Sequence, residues 1–338
     1  MTMIPDDPHE AALWVKKRGL EVGADLVGIA PMTRWEGAPK QMDPRYIMPE
    51  AKSCIGLAFR VLRGSLRGIE EGTFFSNYSG MGYGGITYIF MPIAVNTLAR
   101  EIEDNGYEAF PMGHQSDWRA IDNEGNLRKG FSKPVAPGKP APDIMVHLRI
   151  AGYLCGLGEI GWSKMFLTKD FGPLQRVAFI FTDAELEPDP LYSGKPLCRR
   201  CMACVRECPG GCLSRTESIK VSIGGKICEW GKLDEWRCYA FYTHGGRKFN
   251  PFVPKKVWDE NENGDLDLLE GKCSANEKEI MKVYRALEKY FPTWVGYNMA
   301  KCGGCIRACV SMLEKKGGCM EGRFKEPLRT GKAWVMDR

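Results

Sequence analysis

Apolar residues between Glu10 and Gly23 recur at helical spacing, with Ala12, Leu13, Val15 and Leu20 on one side, which predicts an amphipathic helix. Ala24–Ile29 and Ser53–Phe59 are short apolar runs and predict buried strands. Phe74–Tyr88, FFSNYSGMGYGGITY, interleaves glycine and serine with aromatics; it predicts an irregular segment, either lining something flat or packed as a loop. Ile89–Asp104 returns to helical spacing, with Ile93, Leu98 and Ile102 on one face, and Asn105-Gly106 stops it. Gln115–Asp143 has little periodicity and contains KPVAPGKPAP, which predicts a loop or lid. Ile144–Leu157 predicts a helix ending at Gly156 or Gly158, and Arg176–Thr182, RVAFIFT, is the clearest strand. The mixture predicts an α/β domain over residues 1–190. The proline-containing stretch Glu185–Pro196 marks its end, and residues 191–338 form a second, cysteine-rich unit.

The chain has 338 residues, 44% of them hydrophobic and 26% charged, which allows a substantial core and excludes a disordered chain. A net charge of +5 with both signs interspersed does not single out nucleic acid as a partner. No apolar run reaches the length of a membrane helix, and Met1–Glu10 carries neither a signal peptide nor a twin-arginine signal. A cytoplasmic protein without a membrane partner is the expectation.

Cysteine changes this picture. Of 14 cysteines, twelve lie between Cys198 and Cys319, with Cys54 and Cys155 isolated upstream. In a chain able to build its own core and carrying no export signal, metal ligation explains them better than disulfides. Cys198, Cys201, Cys204 and Cys208-Pro209 form C-x2-C-x2-C-x3-C-P, the bacterial ferredoxin run, whose fourth cysteine serves the other cluster of a pair. Cys302, Cys305 and Cys309 form a second motif, C-x2-C-x3-C, with valine after Cys309 where proline is usual. Two cubanes need eight thiolates, and Cys238 in WRCYAFY is the best eighth, with Cys228 and Cys212 as alternatives. The expected sets are Cys198, Cys201, Cys204 and Cys309 for one [4Fe-4S] cluster and Cys208, Cys238, Cys302 and Cys305 for the other. A two-cluster ferredoxin needs far fewer residues than 338, so the first domain is expected to hold a redox centre or substrate. No G-x-G-x-x-G follows a strand, which argues against a nicotinamide site.

An acidic segment fits the calcium loop D-x-[DN]-x-[DN]-G-x5-E, with Asp259, Asn261, Asn263, Asp265 and Glu270 as ligands and Gly264 at the turn. A solvated acidic turn is the alternative, since Pro251 and Pro254 disfavour a long entering helix.

With these motifs in hand, the chain resembles the cobalamin-dependent iron–sulfur reductases, the reductive dehalogenases and epoxyqueuosine reductases. The likeness rests on PEAKSCIGLAF (Pro49–Phe59), on GLGEIGWSKMFLTKDFGPLQRVAFIFTD (Gly156–Asp183) and on the cysteine pattern. Glu159 in GLGEIG reads like the dehalogenases, since the epoxyqueuosine enzymes typically carry tryptophan there. The resemblance implies a nitroreductase-like cobalamin-binding α/β core followed by a bacterial two-[4Fe-4S] ferredoxin-like module. It implies cobalamin bound base-off, in keeping with the absence of a D-x-H-x-x-G motif: Asp7-Pro8-His9 is followed by Ala12, not glycine.

The resemblance further implies site residues. Tyr88, before the helix leading to Gly106-Tyr107-Glu108-Ala109-Phe110-Pro111, matches the tyrosine proton donor, and Arg176, ending G-P-x-x-R, matches an arginine that stabilises tyrosinate. His114 and Asp143 compete for one further position. Trp118, Phe74 and Phe75 are candidate cavity residues, and Lys164 is a candidate contact to the cobalamin. The implied activity is reductive cleavage of a carbon–halogen or similar bond in a small molecule such as an organohalide, with ferredoxin or flavodoxin as electron donor. The alternatives are epoxyqueuosine reduction in tRNA, with Asp143 as the acid, and a two-cluster electron carrier.

Overall fold

The computed structural model describes residues 3–114, 122, 126, 132–290, 304–315, 320, 322–329 and 336. Cys302 and Trp118 lie outside the described residues, as does most of the segment 115–131.

In chain order the elements begin with α1 (Pro8–Glu21), β1 (Leu26–Pro31), β2 (Ser53–Arg60), α2 (Arg67–Glu71), a π-helix (Tyr78–Phe90) and α3 (Met91–Glu103). They continue with β3 (Ala109–Met112), α4 (Leu148–Leu154), β4 (Glu159–Ile160), β5 (Phe166–Leu167) and β6 (Gln175–Thr182). After these come α5 (Ala203–Arg206), β7 (Leu213–Ile223), β8 (Lys226–Leu233), α6 (Glu235–His244), α7 (Lys255–Glu260), α8 (Asp267–Glu270), α9 (Glu277–Leu287) and α10 (Gly304–Lys315). The fold is mixed α/β.

Its organising feature is a four-stranded sheet of order β1-β2-β6-β3, antiparallel at each pairing. Side chains alternate across it. Ile29, Ile55, Leu57, Phe59, Ala178 and Ile180 face a core shared with α1 and α3. Ala30, Cys54, Phe179 and Phe181 face a second core, shared with α4 and the β7–β8 hairpin. A third core joins Val61, Leu66 and Tyr78 to Leu197, Ile306 and Val310 of the cysteine-rich half, and a fourth unites α6 to α9.

Local chemistry sets the boundaries. Asp7 caps α1, its Oδ1 accepting the His9 and Glu10 N–H groups at 3.0 Å, and Pro8 occupies the first turn, where no N–H is required. The buried face of α1 is Ala11, Ala12, Val15 and Gly19, so the expected Leu13 and Leu20 turn to solvent. Small residues win that face because the helix lies close on the sheet: a Cβ on Gly19 would come within 2.8 Å of Val27. In α3 the buried row runs through Met91, Ala94, Val95, Leu98, Ala99 and Ile102, which leaves the expected Ile93 outside.

Two other expectations are corrected. The segment expected to be irregular is the π-helix, which runs straight into α3. The helix expected over 144–157 is confined to Leu148–Leu154, because His147 caps it, its Nδ1 accepting the Ile150 N–H at 3.2 Å, while Met145 upstream donates its N–H to the Gln41 carbonyl. The end of α4 presses on the sheet: a Cβ on Gly28 would meet the Cys155 carbonyl at 2.2 Å.

Candidate functional site

The loop carrying the first cysteine run is turned by Arg200 and Met202, both left-handed at φ 48° and 56°. Cys198, Cys201, Cys204 and Cys309 line one cavity, so α10 returns its thiol to the first motif. Gly304 makes that approach feasible, since a Cβ there would stand 2.2 Å from the Glu207 carbonyl. The Trp162 N–H donates to Cys198 Sγ at 3.3 Å, and the Cys198 N–H donates to Glu159 Oε1 at 2.7 Å. Burial, with Cys198 and Cys201 beside it, pushes the Cys204 thiol up to about 11.

A second group of thiols forms around Cys208. Hydrogen bonding from Cys212, against the effect of burial, brings Cys208 down to about 6, helped by backbone N–H groups including that of Cys212 at 3.3 Å. Hydrogen bonds to Cys208 and Cys238 raise Cys212 in turn. Burial, then the charges of Cys238, Cys208 and Cys204, push Cys305 up to about 12. Cys208, Cys212, Cys238 and Cys305 therefore share one neighbourhood. Cys228 does not belong to it; it pairs with Val221 in the hairpin and is buried in the core with α4.

Among the described residues no three His, Cys, Asp or Glu side chains converge tightly enough to hold a single metal ion. Four thiols around one cavity suit a wider body. A cubane's thiolates each bind a different iron, and its positive charge lets neighbouring thiols ionise together.

A larger cavity lies at the start of β6, where Thr87, His114, Arg149, Lys164, Arg176 and Trp230 are among its lining. Arg176 pairs with Phe59 in the ladder, and its Nη2 donates to the Tyr78 hydroxyl at 3.0 Å. Its guanidinium stands 4.6 Å from the Tyr83 ring centre. Burial works against the Arg176 charge, but Tyr78, Tyr242 and Tyr83 hold its pKa above the ordinary arginine value. The Tyr83 hydroxyl meets the Tyr88 hydroxyl at 3.1 Å and His114 Nε2 at 3.4 Å. Tyr88 itself is 54% exposed. The expected direct partnership of Arg176 with Tyr88 is thus replaced by one through Tyr83, with Tyr78 as the hydrogen-bond partner.

Burial, then the charges of Arg176 and Arg149, lower His114 to about 4, so its imidazole is neutral at pH 7. Of the two residues competing for one position, His114 lines the cavity, while Asp143 is exposed with a left-handed backbone, φ 61°. Phe75 is buried with Tyr78, Leu197 and Val310, and Phe74 is exposed, so neither lines the cavity.

The cavity and the second thiol group adjoin. Lys164, left-handed at φ 62°, donates to Glu235 Oε1 at 2.9 Å in a largely buried pair, and Cys238 follows one turn later on α6. Burial, then Arg176, lower the Arg149 guanidinium, while Glu235, Cys238 and Cys305 oppose the shift. Arg149 is therefore within electrostatic reach of both places.

The acidic loop is arranged differently from a ligand cage. Asp259 pairs with Arg247 and Lys255, Glu270 pairs with Lys272, and Asn261 Oδ1 accepts the Leu266 N–H at 2.7 Å while its Nδ2 donates to Asp267 at 2.8 Å. The five expected ligands, Asp259, Asn261, Asn263, Asp265 and Glu270, are not brought together among the described residues.

Sequence reasoning missed Tyr78, Tyr83, Thr87 and Arg149. The signal for the tyrosines was present: Tyr78, Tyr83 and Tyr88 recur every five residues, the interval of the π-helical i→i+5 bond. Arg149 sits in a helix whose pattern gives no hint of a cavity.

No protein-family model matches the chain. It is 26% identical over 326 residues to a tetrachloroethene reductive dehalogenase of Desulfitobacterium hafniense (strain Y51), which covers 87% of this chain and 55% of that protein. It is 27% identical over 327 residues to the enzyme of the same name from Dehalobacter restrictus (strain DSM 9455 / PER-K23), with the same coverage. The chain thus spans about half the length of the curated relatives it matches. A catabolic reductive dehalogenase solved in complex with 3-bromo-4-hydroxybenzoic acid overlays with a TM-score of 0.51 at 18% identity, over 92% of this chain and 35% of that one. No helix among the described residues is long and apolar enough to cross a membrane. The chain is a homologue of the reductive dehalogenases, the branch its motifs resemble more.

Proposed function

We propose that the chain is a cobalamin-dependent reductase of the reductive dehalogenase kind, with residues 1–190 holding cobalamin and substrate and residues 191–338 holding two [4Fe-4S] clusters. The observation that carries this reading is the adjacency of two thiol groups and the cavity at the start of β6, joined through Arg149 and the Lys164–Glu235 pair. Cys198, Cys201, Cys204 and Cys309 hold the outer cluster. Cys208, Cys238, Cys305 and Cys302 hold the inner one, with Cys212, whose N–H donates to Cys208 Sγ at 3.3 Å, as the alternative to Cys238. Bound cobalamin supplies the low-potential reductant that breaks the carbon–halogen or similar bond.

Balance requires two electrons and one proton: R–X + 2e− + H+ gives R–H + X−. Electrons come one at a time from a donor such as ferredoxin or flavodoxin. The protein's own part is the proton. Tyr88 at the surface, Tyr83 behind the wall and His114 in the wall form a line of hydroxyl and imidazole groups. Neutral His114 gives its Nδ1 proton into the cavity and takes one at Nε2 from Tyr83, which is replenished through Tyr88. Arg176 beside Tyr78 and Tyr83 favours transient negative charge on their oxygens. An organohalide is the substrate class favoured by the relatives' names.

Anaerobic reconstitution with iron, sulfide and cobalamin, followed by metal analysis and EPR, tests the reading. About eight irons, as two cubanes require, with one base-off Co(II) per chain supports it. A full iron complement with no bound corrinoid overturns it and leaves a two-cluster electron carrier.

A further inference from the structure

Among the described cysteines Cys201 alone is exposed; those around Cys208 are half-buried or buried. Cys201 stands in a cationic stretch: residues 195–206 carry Lys195, Arg199, Arg200 and Arg206 and no acid. All four cations are exposed, and Arg199 and Arg200 line the cavity of the outer thiols. Local contacts hold two of them at the loop. Arg206 Nη1 donates to the Cys201 carbonyl at 3.0 Å, and the Arg200 guanidinium stands 5.1 Å from the Trp162 ring centre. The hairpin adds Lys220, exposed and opposite Glu229 in the ladder. The nearby acids do not cancel this charge. Glu229 is shared between Arg200 and Lys220, Glu159 accepts the Cys198 N–H, and Glu207 follows only at the end of the run. Elsewhere exposed lysines are matched by carboxylates, as Lys232 is by Glu217 and Lys272 by Glu270.

We propose that the face around Cys201, rimmed by Lys195, Arg199, Arg200 and Arg206, is the docking surface for the electron donor, and that the donor is a small acidic carrier protein of the ferredoxin kind. This rests on the reading of Cys198, Cys201, Cys204 and Cys309 as ligands of the outer cluster. An electron crosses only a short gap, so the one exposed thiol fixes where a carrier must touch. Charge complementarity then selects the carrier: a cationic rim attracts an acidic protein and turns a basic one away. Electron-transfer contacts are small and short-lived, so steering by charge matters more in them than buried apolar area. Met202, half-buried next to Cys201, gives the cationic rim a small apolar centre. Each docking passes one electron, which oxidises the carrier by one and reduces the chain by one; no bond forms or breaks and no proton moves. Two dockings supply the two electrons that R–X cleavage consumes.

The test is anaerobic binding of an acidic bacterial ferredoxin to the full chain with its clusters reconstituted, by titration calorimetry at ionic strengths of about 0.01 and 0.15 M, where charges are screened over about 30 and 8 Å. Iron per chain is measured on the same samples. Binding is expected to weaken steeply with salt. The double variant Lys195→Glu, Arg199→Glu is expected to weaken it at least about tenfold at the lower salt with iron unchanged, and Lys195→Gln, Arg199→Gln by less. Lys17→Glu, on α1 and exposed, is the control and should bind as the parent does. Stopped-flow reduction of the clusters by reduced ferredoxin should slow in the same order. Binding that ignores salt, or that falls equally in the control, overturns the docking surface. Iron loss in both loop variants also overturns it, because the cations then serve to balance the thiolates. Arginine-dependent binding in protein that takes up iron but no corrinoid would sink the cobalamin reading and leave the docking surface standing.

Discussion

Arg176 donates from Nη2 to the hydroxyl of Tyr78 at 3.0 Å, and Tyr78 is 3% exposed. The bond ties the first residues of the π-helix to the start of β6, the place where the cavity opens. Tyr78→Phe removes the acceptor and leaves a buried guanidinium N–H unmatched, which costs about 1–3 kcal/mol. Urea unfolding reads this as a lower midpoint at unchanged slope. An unchanged midpoint would mean that water replaces the hydroxyl and that the bond contributes nothing.

Tyr83 is the middle of the line from Tyr88 to His114. Tyr83→Phe keeps the ring under Arg176 and breaks only the hydroxyl path. Turnover is expected to fall about 100-fold, the lower range for loss of acid catalysis, with a larger solvent isotope effect as proton transfer becomes limiting. Tyr88→Phe is expected to cost less, because at 54% exposure water can take its place. Equal losses in the two variants would refute the order of the line.

How much of this was legible in the sequence depends on what each residue needs. The β2 and β6 strands were readable because both are nearly continuous apolar runs, buried by cores on the two faces. The first cysteine run was readable because local spacing alone puts three thiols on one loop. Cys309, expected as the fourth thiol of that set, lines the same cavity as Cys198, Cys201 and Cys204 because α10 runs back to their loop. The tyrosine network was not read because a helical period of 3.6 was sought where the chain follows π-helical spacing. β3 and the β7–β8 hairpin were missed for a related reason. The former is four residues with a proline, and the latter alternates polar and apolar residues weakly around a register shift. Leu13, Leu20 and Ile93 were assigned to the core on hydrophobicity, whereas close approach to the sheet selects alanine and glycine.

Cys212 and Cys238 offer a sharp contrast. Both neighbour Cys208: the Cys212 backbone N–H donates to the Cys208 sulfur at 3.3 Å, and its thiol meets those of Cys208 and Cys238. Cys238→Ser is expected to lose the inner cluster, lowering iron by about four per chain, while Cys212→Ser retains the full complement. Iron and sulfide analysis after reconstitution checks both. The reverse pattern would exchange their roles.

His244 is 3% exposed and lowered to about 4, chiefly by burial. Its ordinary value is 6.5, so between about 4 and 6.5 the unfolded chain binds a proton that the native chain does not. Stability from this group is therefore intact above about 6.5 and is lost as the pH falls towards 4. The full difference is worth about 3 kcal/mol. His114 shifts in the same direction, at smaller weight because it is less buried. Urea midpoints at pH 4.5 and 7 should differ less in His244→Gln than in the parent chain. Activity should show no ionisation near 6.5 from His114, with its acid limb falling only towards 4.

Arg307 on α10 meets Glu70 of α2 at 2.5 Å, with side chains 6% and 3% exposed. Arg307 lies between Cys305 and Cys309, so the pair fixes the helix that serves both thiol groups. Removing one charge leaves the other buried and alone, which costs about 3–5 kcal/mol, whereas replacing both with apolar residues of similar volume is often neutral. Glu70→Ala is thus expected to lower the melting temperature sharply and to reduce iron retained per chain. The double variant Glu70→Leu, Arg307→Met should recover most of the stability. If it also recovers the iron, the pair serves only to seat α10. Persistent iron loss in a chain as stable as the parent would show that the Arg307 charge itself helps to hold the thiolates around their cluster.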